Sequence, residues 1–175
     1  PAPYWVSYPE MVRFAGAAPV AIPTTVESDY LLTADQLEAA ITPRTRLLIL
    51  CSPSNPTGGV YSPQQLGDLA AVLMRHPDVF VISDEIYEHI IYDAEHRSMA
   101  SYPGMKDRTL TVNGFSKAYA MTGWRLGFMA ADPMIIKAAG KLQSQLTSAP
   151  STIAQKAGIA ALKMDPSVVH RMVDS

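Results

Sequence analysis

The chain has 175 residues, a length that suits one domain with one sizeable core. Hydrophobic residues make up 48% of the sequence and charged residues 17%, which is typical of a globular protein and excludes a disordered chain. The formal net charge is −2 and no run of lysine or arginine stands out. We therefore expect no nucleic acid among its partners, because a nucleic-acid groove needs a basic surface.

The cysteine content and the apolar runs bear on location. Cys51 is the only cysteine, so an internal disulfide is excluded and a reducing compartment is expected. The longest apolar stretches, such as residues 47–51, fall far short of the roughly 20 residues that span a bilayer. No basic segment followed by an apolar one marks a signal peptide. We predict a cytoplasmic protein that does not bind membranes.

Five helices are predicted along the chain. Three of them begin at capping boxes, in which a hydroxyl residue and a Glu or Gln three positions later satisfy each other's backbone amides. The boxes pair Ser7 with Glu10, Thr33 with Gln36, and Ser62 with Gln65, and Pro63 occupies the first helical position of the third. The other two helices run from about residue 133 to 146 and from about 152 to 164.

Four short apolar runs alternate with the later helices and have the length of strands. Most of them are apolar at both odd and even positions, which indicates strands covered on both faces, as in a parallel sheet. The alternation of strand and helix predicts an α/β fold with right-handed crossovers. The runs are residues 47–51, 79–83, 110–113 and 126–130.

The two ends of the chain suggest that it is part of a longer protein. It begins at Pro1 without a methionine. It ends at Ser175, inside a segment that resembles an amphipathic helix with Val168, Val169, Met172 and Val173 on its apolar side. No repeat or linker divides the chain. We expect one domain, truncated at both ends.

Polar residues follow three of the predicted strands, at residues 52–59, 84–87 and 114–117. Open α/β sheets bind ligands at the carboxyl ends of their strands, so these segments are candidate site residues. The first is rich in turn-forming residues and is equally typical of a plain loop. Its Asn55-Pro56 bond is a candidate for the cis form.

The second and third segments also have two interpretations each. A strand that ends in Asp84-Glu85 resembles the magnesium-binding strand of P-loop NTPases, but the sequence contains no G-x-x-x-x-G-K-[ST] loop. The two acids are also typical of a helix N-terminus. Lys117 is either a solvated surface lysine or a desolvated nucleophile at a strand end. Arg125 either pairs with a carboxylate or binds a ligand.

Considered together, four motifs in this order resemble the class I/II aminotransferases of fold type I, which use pyridoxal phosphate. The match is nearest the bacterial aspartate aminotransferase branch. It implies an α/β three-layer sandwich with a mostly parallel sheet, of which residues 1–175 form the central part of the large cofactor-binding domain. The small domain and the N-terminal segment would then lie outside this chain. The motifs are residues 3–8, 54–58, 83–87, and 116–117 followed by 123–127.

The resemblance implies a role for each candidate residue. Lys117 forms the Schiff base with pyridoxal 5'-phosphate and then moves the proton between the substrate and the cofactor. Asp84 faces the pyridine nitrogen and keeps it protonated, so that the ring accepts electrons. Asn55 and Tyr87 donate hydrogen bonds to the phenolic oxygen of the ring. Arg125 binds the phosphate.

Two further residues have weaker assignments by the same resemblance. Ser116 adds a hydroxyl to the phosphate site or is an ordinary turn serine. Trp5 stacks on the pyridine ring or is an ordinary core tryptophan. Many members of the family carry a hydroxyl residue three positions before the lysine, where this sequence has Gly114. Phosphate binding is then expected to depend more on Arg125.

The resemblance also implies what this chain lacks. The glycine-containing phosphate loop of the family lies upstream of Pro1, and the arginine that binds the substrate α-carboxylate lies downstream of Ser175. We therefore expect the isolated chain to bind cofactor poorly and to be inactive. The segment 141–151 lies near the subunit boundary in the family, which implies a homodimer. His76, His89, His96 and His170 fit no zinc pattern and are predicted in surface turns, with no metal.

Three functions are compatible with these residues. The first is transamination between an amino acid, with aspartate favoured, and a 2-oxo acid such as 2-oxoglutarate. The second keeps the cofactor but changes the reaction to that of a β-lyase, a decarboxylase or a cyclopropane-forming synthase. The third is a ligand-sensing domain of a transcriptional regulator, which retains the cofactor-binding residues without catalysis.

Overall fold

A computed structural model describes residues 1–174 of the chain. It contains six α-helices and four strands within that range, and none of these helices is long and apolar enough to cross a membrane. In chain order they are α1 Ser7–Phe14, α2 Ala34–Ala40, β1 Leu47–Cys51, α3 Pro63–Arg75, β2 Phe80–Asp84, β3 Thr109–Gly114, β4 Gly127–Ala130, α4 Pro133–Leu146, α5 Thr152–Leu162 and α6 Ser167–Val173.

The four strands form one sheet in the order β1-β2-β3-β4. The first three are parallel, and β4 runs antiparallel to β3. The predicted α/β fold with a mostly parallel sheet is confirmed. The pairing register places Cys51 beside Asp84, and Asp84 beside Val112. The carboxyl ends of β1, β2 and β3 therefore meet along one edge of the sheet.

Two of the three predicted capping boxes are confirmed and one is wrong. The backbone amides of Gln36 and Gln65 donate to the hydroxyls of Thr33 and Ser62 over 3.2 Å each. In both boxes the glutamine side chain in turn accepts a hydrogen bond from the backbone amide of the N-cap residue. The N-cap of α1, however, is Val6, whose backbone is already helical at φ −55° and ψ −23°. Ser7 thus lies inside the helix, whereas a capping side chain needs an extended backbone at its own position.

The predicted boundaries agree with the structure to within about two residues. The strand at 47–51 and the helix at 133–146 are confirmed residue for residue. The second strand extends to Asp84, the third to Gly114, and α5 ends at Leu162, two residues early. The Asn55-Pro56 bond is cis, as the sequence suggested.

The main core covers one face of the sheet. Along β1 and β2, Leu48, Leu50 and Val81 are buried against leucines of α3, whereas the alternate residues Ile49 and Ile82 are only half-buried. Successive strand residues point to opposite faces. Within residues 1–174, the second face of these strands, which also carries Asp84, is therefore less completely covered than the first.

A smaller cluster joins α5 to the turn after β3. Phe115, Met121 and Ala161 are buried together. Gly158 of α5 lets the helix approach this cluster, because a Cβ there would lie 2.5 Å from Leu126. This packing supports the chain on both sides of Lys117.

Gly114 is required by the close approach of β3 and β4. A Cβ at this position would lie 2.9 Å from the Cα of Gly127 and 3.0 Å from the carbonyl oxygen of Leu126. Both contacts are with backbone atoms, which cannot rotate away. The lack of a hydroxyl residue three positions before Lys117 therefore has a structural cause, since the neighbouring strand occupies the space for a side chain.

We predict that Gly114→Ser destabilises the complete protein by about 1–3 kcal/mol, the usual cost of overpacking a tight site. Urea unfolding measures this change. Gly140→Ser is the matched control, because Gly140 lies within α4 and has open space around its Cβ position. Equal midpoints for both variants would show that the β3–β4 contact does not restrict position 114.

Candidate active site

Asp84 ends β2 and lies half-buried on the more open face of the sheet. The hydroxyl of Tyr8 donates to its Oδ2 over 2.6 Å, and the amide of Ile86 donates to its Oδ1 over 3.3 Å. The ring of Trp5 packs edge-on against Tyr8, with ring centroids 5.5 Å apart. The structure therefore brings Trp5 near Asp84 through Tyr8.

Tyr8 is not among the site residues predicted from the sequence. Its partner Asp84 is 76 positions away, so no local pattern links them. The available signal was its position three residues after Trp5, since such a spacing places both side chains on one side of a helical turn. Burial and the hydrogen bond to Asp84 raise the pKa of the Tyr8 phenol far above its usual value. Tyr8 is thus a permanent donor at physiological pH.

A small cavity lies beside this hydrogen bond and includes Tyr8, Tyr30, Cys51 and Asn55 in its lining. Burial raises the pKa of the Cys51 thiol, which keeps it protonated. A protonated, half-buried thiol is a poor nucleophile. Cys51 therefore contributes to the packing beside the site.

Asn55, Tyr87 and Lys117 come together from three different strand ends. The side-chain amide of Asn55 donates to the Tyr87 hydroxyl over 3.4 Å. The Nζ of Lys117 lies 5.8 Å from the centre of the Tyr87 ring. Lys117 is exposed within residues 1–174, and its desolvation stays a prediction for the complete protein.

Ser116 and Arg125 lie on either side of Lys117 in the connection between β3 and β4. The Thr122 hydroxyl donates to the Ser116 carbonyl oxygen over 2.9 Å, and the Arg125 guanidinium donates to the Thr122 carbonyl oxygen over 2.9 Å. Arg125 is exposed and has a left-handed backbone with φ 54°. It lines a cleft of about 700 Å³ that also includes Gln143 and Thr147. Within residues 1–174, no direct hydrogen bond joins Arg125 to Lys117 or Asp84.

One histidine differs from expectation. His96 was predicted in a surface turn, but its side chain is only 14% exposed, and its Nε2 lies 3.1 Å from a carboxylate oxygen of Glu85. The cause is the fold of residues 84–98, which brings the ring against the buried acid. His96, Glu85 and Glu88 have ligand atoms within 4.8 Å of one another. The absence of a metal stays a prediction.

Comparison with known proteins identifies the family. Residues 1–175 match the family Aminotransferase class I and II, and the chain belongs to it. A bifunctional aspartate aminotransferase and glutamate/aspartate-prephenate aminotransferase of Petunia hybrida is 62% identical over 93% of this chain. An aspartate/prephenate aminotransferase of Cereibacter sphaeroides is 53% identical over 93%. The resemblance to the bacterial aspartate aminotransferase branch is confirmed.

Solved structures give the same result for the fold. The aspartate aminotransferase of Rhizobium meliloti superposes with a TM-score of 0.97 at 48% identity over 99% of this chain. An aromatic aminotransferase of Pyrococcus horikoshii superposes with a TM-score of 0.96 at 47% identity. The chain spans 34% and 41% of the two curated relatives and 44% of the Rhizobium chain. The predicted three-layer α/β fold of this family is confirmed.

We predict that Tyr8→Phe weakens cofactor binding by the complete protein about tenfold or more, because a hydrogen bond to a charged group contributes about 1.5–3 kcal/mol. Absorbance titration of the cofactor-free protein with pyridoxal phosphate measures the affinity. Tyr30→Phe is the control, since Tyr30 lines the same cavity. An unchanged affinity for Tyr8→Phe would mean that Asp84 needs no support from Tyr8.

Proposed function

We propose that the complete protein is a pyridoxal-phosphate-dependent aminotransferase that moves an amino group from aspartate to a 2-oxo acid such as 2-oxoglutarate. Residues 1–175 form the central part of its large cofactor-binding domain. The observation that carries this proposal is the convergence of an amine, a carboxylate, an amide and a phenol at adjacent strand ends. These four groups belong to Lys117, Asp84, Asn55 and Tyr87.

The geometry fits this cofactor. Pyridoxal phosphate supplies, when bound, a ring that accepts the electrons released from the substrate. Lys117 would hold the cofactor and would move the proton at the substrate Cα. Asp84 lies half-buried at the end of β2, where it holds the proton of the ring nitrogen. Tyr8 orients that carboxylate with its 2.6 Å hydrogen bond.

The remaining side chains bind and orient the cofactor. The polar atoms of Asn55 and Tyr87 lie 3.4 Å apart, close enough to share one acceptor, the phenolic oxygen of the ring. The exposed guanidinium of Arg125 suits a phosphate, which it recognises with two parallel hydrogen bonds. Trp5 stacks on the ring, supported by its edge contact with Tyr8. Ser116 lies in the same connection between β3 and β4 as Arg125 and adds a hydroxyl donor.

The names of the relatives support the reaction and the donor. Four of the relatives, two from plants and two from bacteria, are all named as aminotransferases of aspartate. These names favour transamination over the lyase, synthase and regulator alternatives. Several also name prephenate, a 2-oxo acid, so we propose prephenate as a second acceptor beside 2-oxoglutarate.

We propose further that the protein is a homodimer. Apolar side chains of α4 and α5 are exposed, among them Met134, Leu142, Leu146 and Ile153. Exposed apolar area of this kind supports contact with another part of the complete assembly. Location in the cytoplasm stays a prediction from the single cysteine.

The test of the function is direct. The complete protein, loaded with cofactor, is incubated with aspartate and 2-oxoglutarate or prephenate, and products are identified by mass spectrometry. Amino-group transfer to the oxo acid with formation of oxaloacetate is the expected result. Pyruvate and ammonia from aspartate would identify a lyase instead, and no turnover with bound cofactor would favour a regulator.

We predict that Lys117→Ala removes the visible absorbance of the lysine-bound cofactor and lowers transamination by about 10²–10⁴-fold, the range that acid–base catalysis contributes. Absorbance spectra and rate measurements on the complete protein check both effects. Lys106→Ala is the control, because Lys106 is exposed near the amino end of β3 and far along the strand from Lys117. Persistence of the absorbance band would contradict the assignment of Lys117 as the residue that binds the cofactor.

A further inference from the structure

Glu85 is the most deeply buried acidic residue of the described chain, with 2% of its surface exposed. It follows Asp84 directly at the end of β2. Because strand residues alternate between faces, Ser83 and Glu85 point to one side of the sheet and Asp84 to the other. Asp84 faces the candidate cofactor site, so Glu85 lies behind it.

Four hydrogen bonds hold Glu85 in this position. The hydroxyls of Ser83 and Ser98 both donate to its Oε1 over 2.7 Å. The Nε2 of His96 lies 3.1 Å from its Oε2. Its own amide donates to the carbonyl oxygen of Val112 in β3 over 2.9 Å. The residue after Asp84 is therefore tied to β2, to β3 and to the segment 96–98.

A second acid extends the network toward the turn of Lys117. His96 Nε2 also lies 3.9 Å from Glu88, and the side-chain amide of Asn113 donates to Glu88 over 2.6 Å. The Oδ1 of Asn113 accepts the backbone amide of Gly114 over 2.7 Å. Gly114 is three positions before Lys117. The network thus joins the turn of Asp84 and Tyr87 to the chain that carries the lysine.

The surroundings of Glu85 favour its ionised form. Burial raises the pKa of Glu85, but the bonds from His96, Ser83 and Ser98 outweigh it and hold that pKa below its usual value. Glu85 is therefore ionised at neutral pH and has its donors beside it. Both of its oxygens already accept hydrogen bonds, as suits an anion with a structural role.

We propose that Glu85, held by His96, Ser83 and Ser98, is a positioning residue of the cofactor site, which fixes the turn 84–87 and through Glu88 and Asn113 aligns it with the turn of Lys117. The proposal rests on the function proposed above. It goes beyond that function because Glu85 and His96 touch no substrate or cofactor and act through Asp84 and Tyr87. Their effect is on the geometry of the turn.

The test uses Glu85→Gln in the complete protein, which keeps the size of the side chain and removes its charge. Glu38→Gln is the matched control, because Glu38 also pairs with a histidine, at 2.8 Å from His76, which precedes β2 whereas Glu85 follows it. Three quantities are measured: amide hydrogen exchange of the cofactor-free protein, affinity for pyridoxal phosphate, and the pH midpoint of the bound cofactor's visible absorbance.

For Glu85→Gln we expect faster exchange in segments 84–90 and 113–117, affinity lowered about tenfold, as for other groups that orient a ligand through hydrogen bonds, and a shifted absorbance midpoint. Glu38→Gln leaves all three unchanged. If Glu85→Gln lowers only the unfolding midpoint and matches the control in these three measurements, Glu85 is a structural residue and the proposal is wrong.

Ser98→Ala gives a milder second test if Glu85→Gln does not fold, since it removes one of the hydrogen bonds to Oε1. We expect the same three changes, with the affinity for pyridoxal phosphate lowered about threefold. If none of the three changes occurs, the proposal is wrong.

The outcome of this test can be distinguished from that of the proposed function. An unaltered protein that binds cofactor but does not transaminate contradicts the function, whereas exchange in the cofactor-free variants still decides the role of Glu85.

Discussion

The parallel pairing of β1, β2 and β3 is the constraint on which the site depends. Its register sets Cys51, Asp84 and Val112 side by side, so the residues that follow each strand leave the sheet at one edge. Asn55 and Lys117 are 62 positions apart in sequence, yet both lie beside Tyr87 at this edge. A shift of one residue would turn Asp84 to the opposite face of the sheet, since side chains alternate along a strand.

The unequal coverage of the two faces explains how this register is kept while the site stays accessible. Leu48, Leu50 and Val81 point into the core formed with α3, and their burial fixes which residues of each strand face inward. The alternate residues, Asp84 among them, then face the more open side. Apolar packing on one face thereby orients a carboxylate on the other.

Most of the fold and of the candidate site could be predicted because the signals are local. Strand ends, two capping boxes and the motifs around Asn55, Asp84 and Lys117 each lie within a few consecutive residues. Three features could not be predicted this way. Tyr8 reaches Asp84 across 76 positions, His96 is buried only because residues 84–98 fold back onto Glu85, and the failed cap at Ser7 depends on the backbone angles of Val6. Each is determined by tertiary contact.

Asp84 and Glu85 are adjacent acids with opposite surroundings, and this difference supports the separate roles that we propose for them. Glu85 accepts from two serine hydroxyls and pairs with His96 in the interior, so its charge is already compensated. Asp84 accepts from a single side chain, Tyr8, and is half-buried. A neutral phenol that stays protonated orients the carboxylate without cancelling its charge. Under the proposed function, Asp84 would therefore be the acid that pairs with a protonated ring nitrogen, while Glu85 would support the turn that presents it.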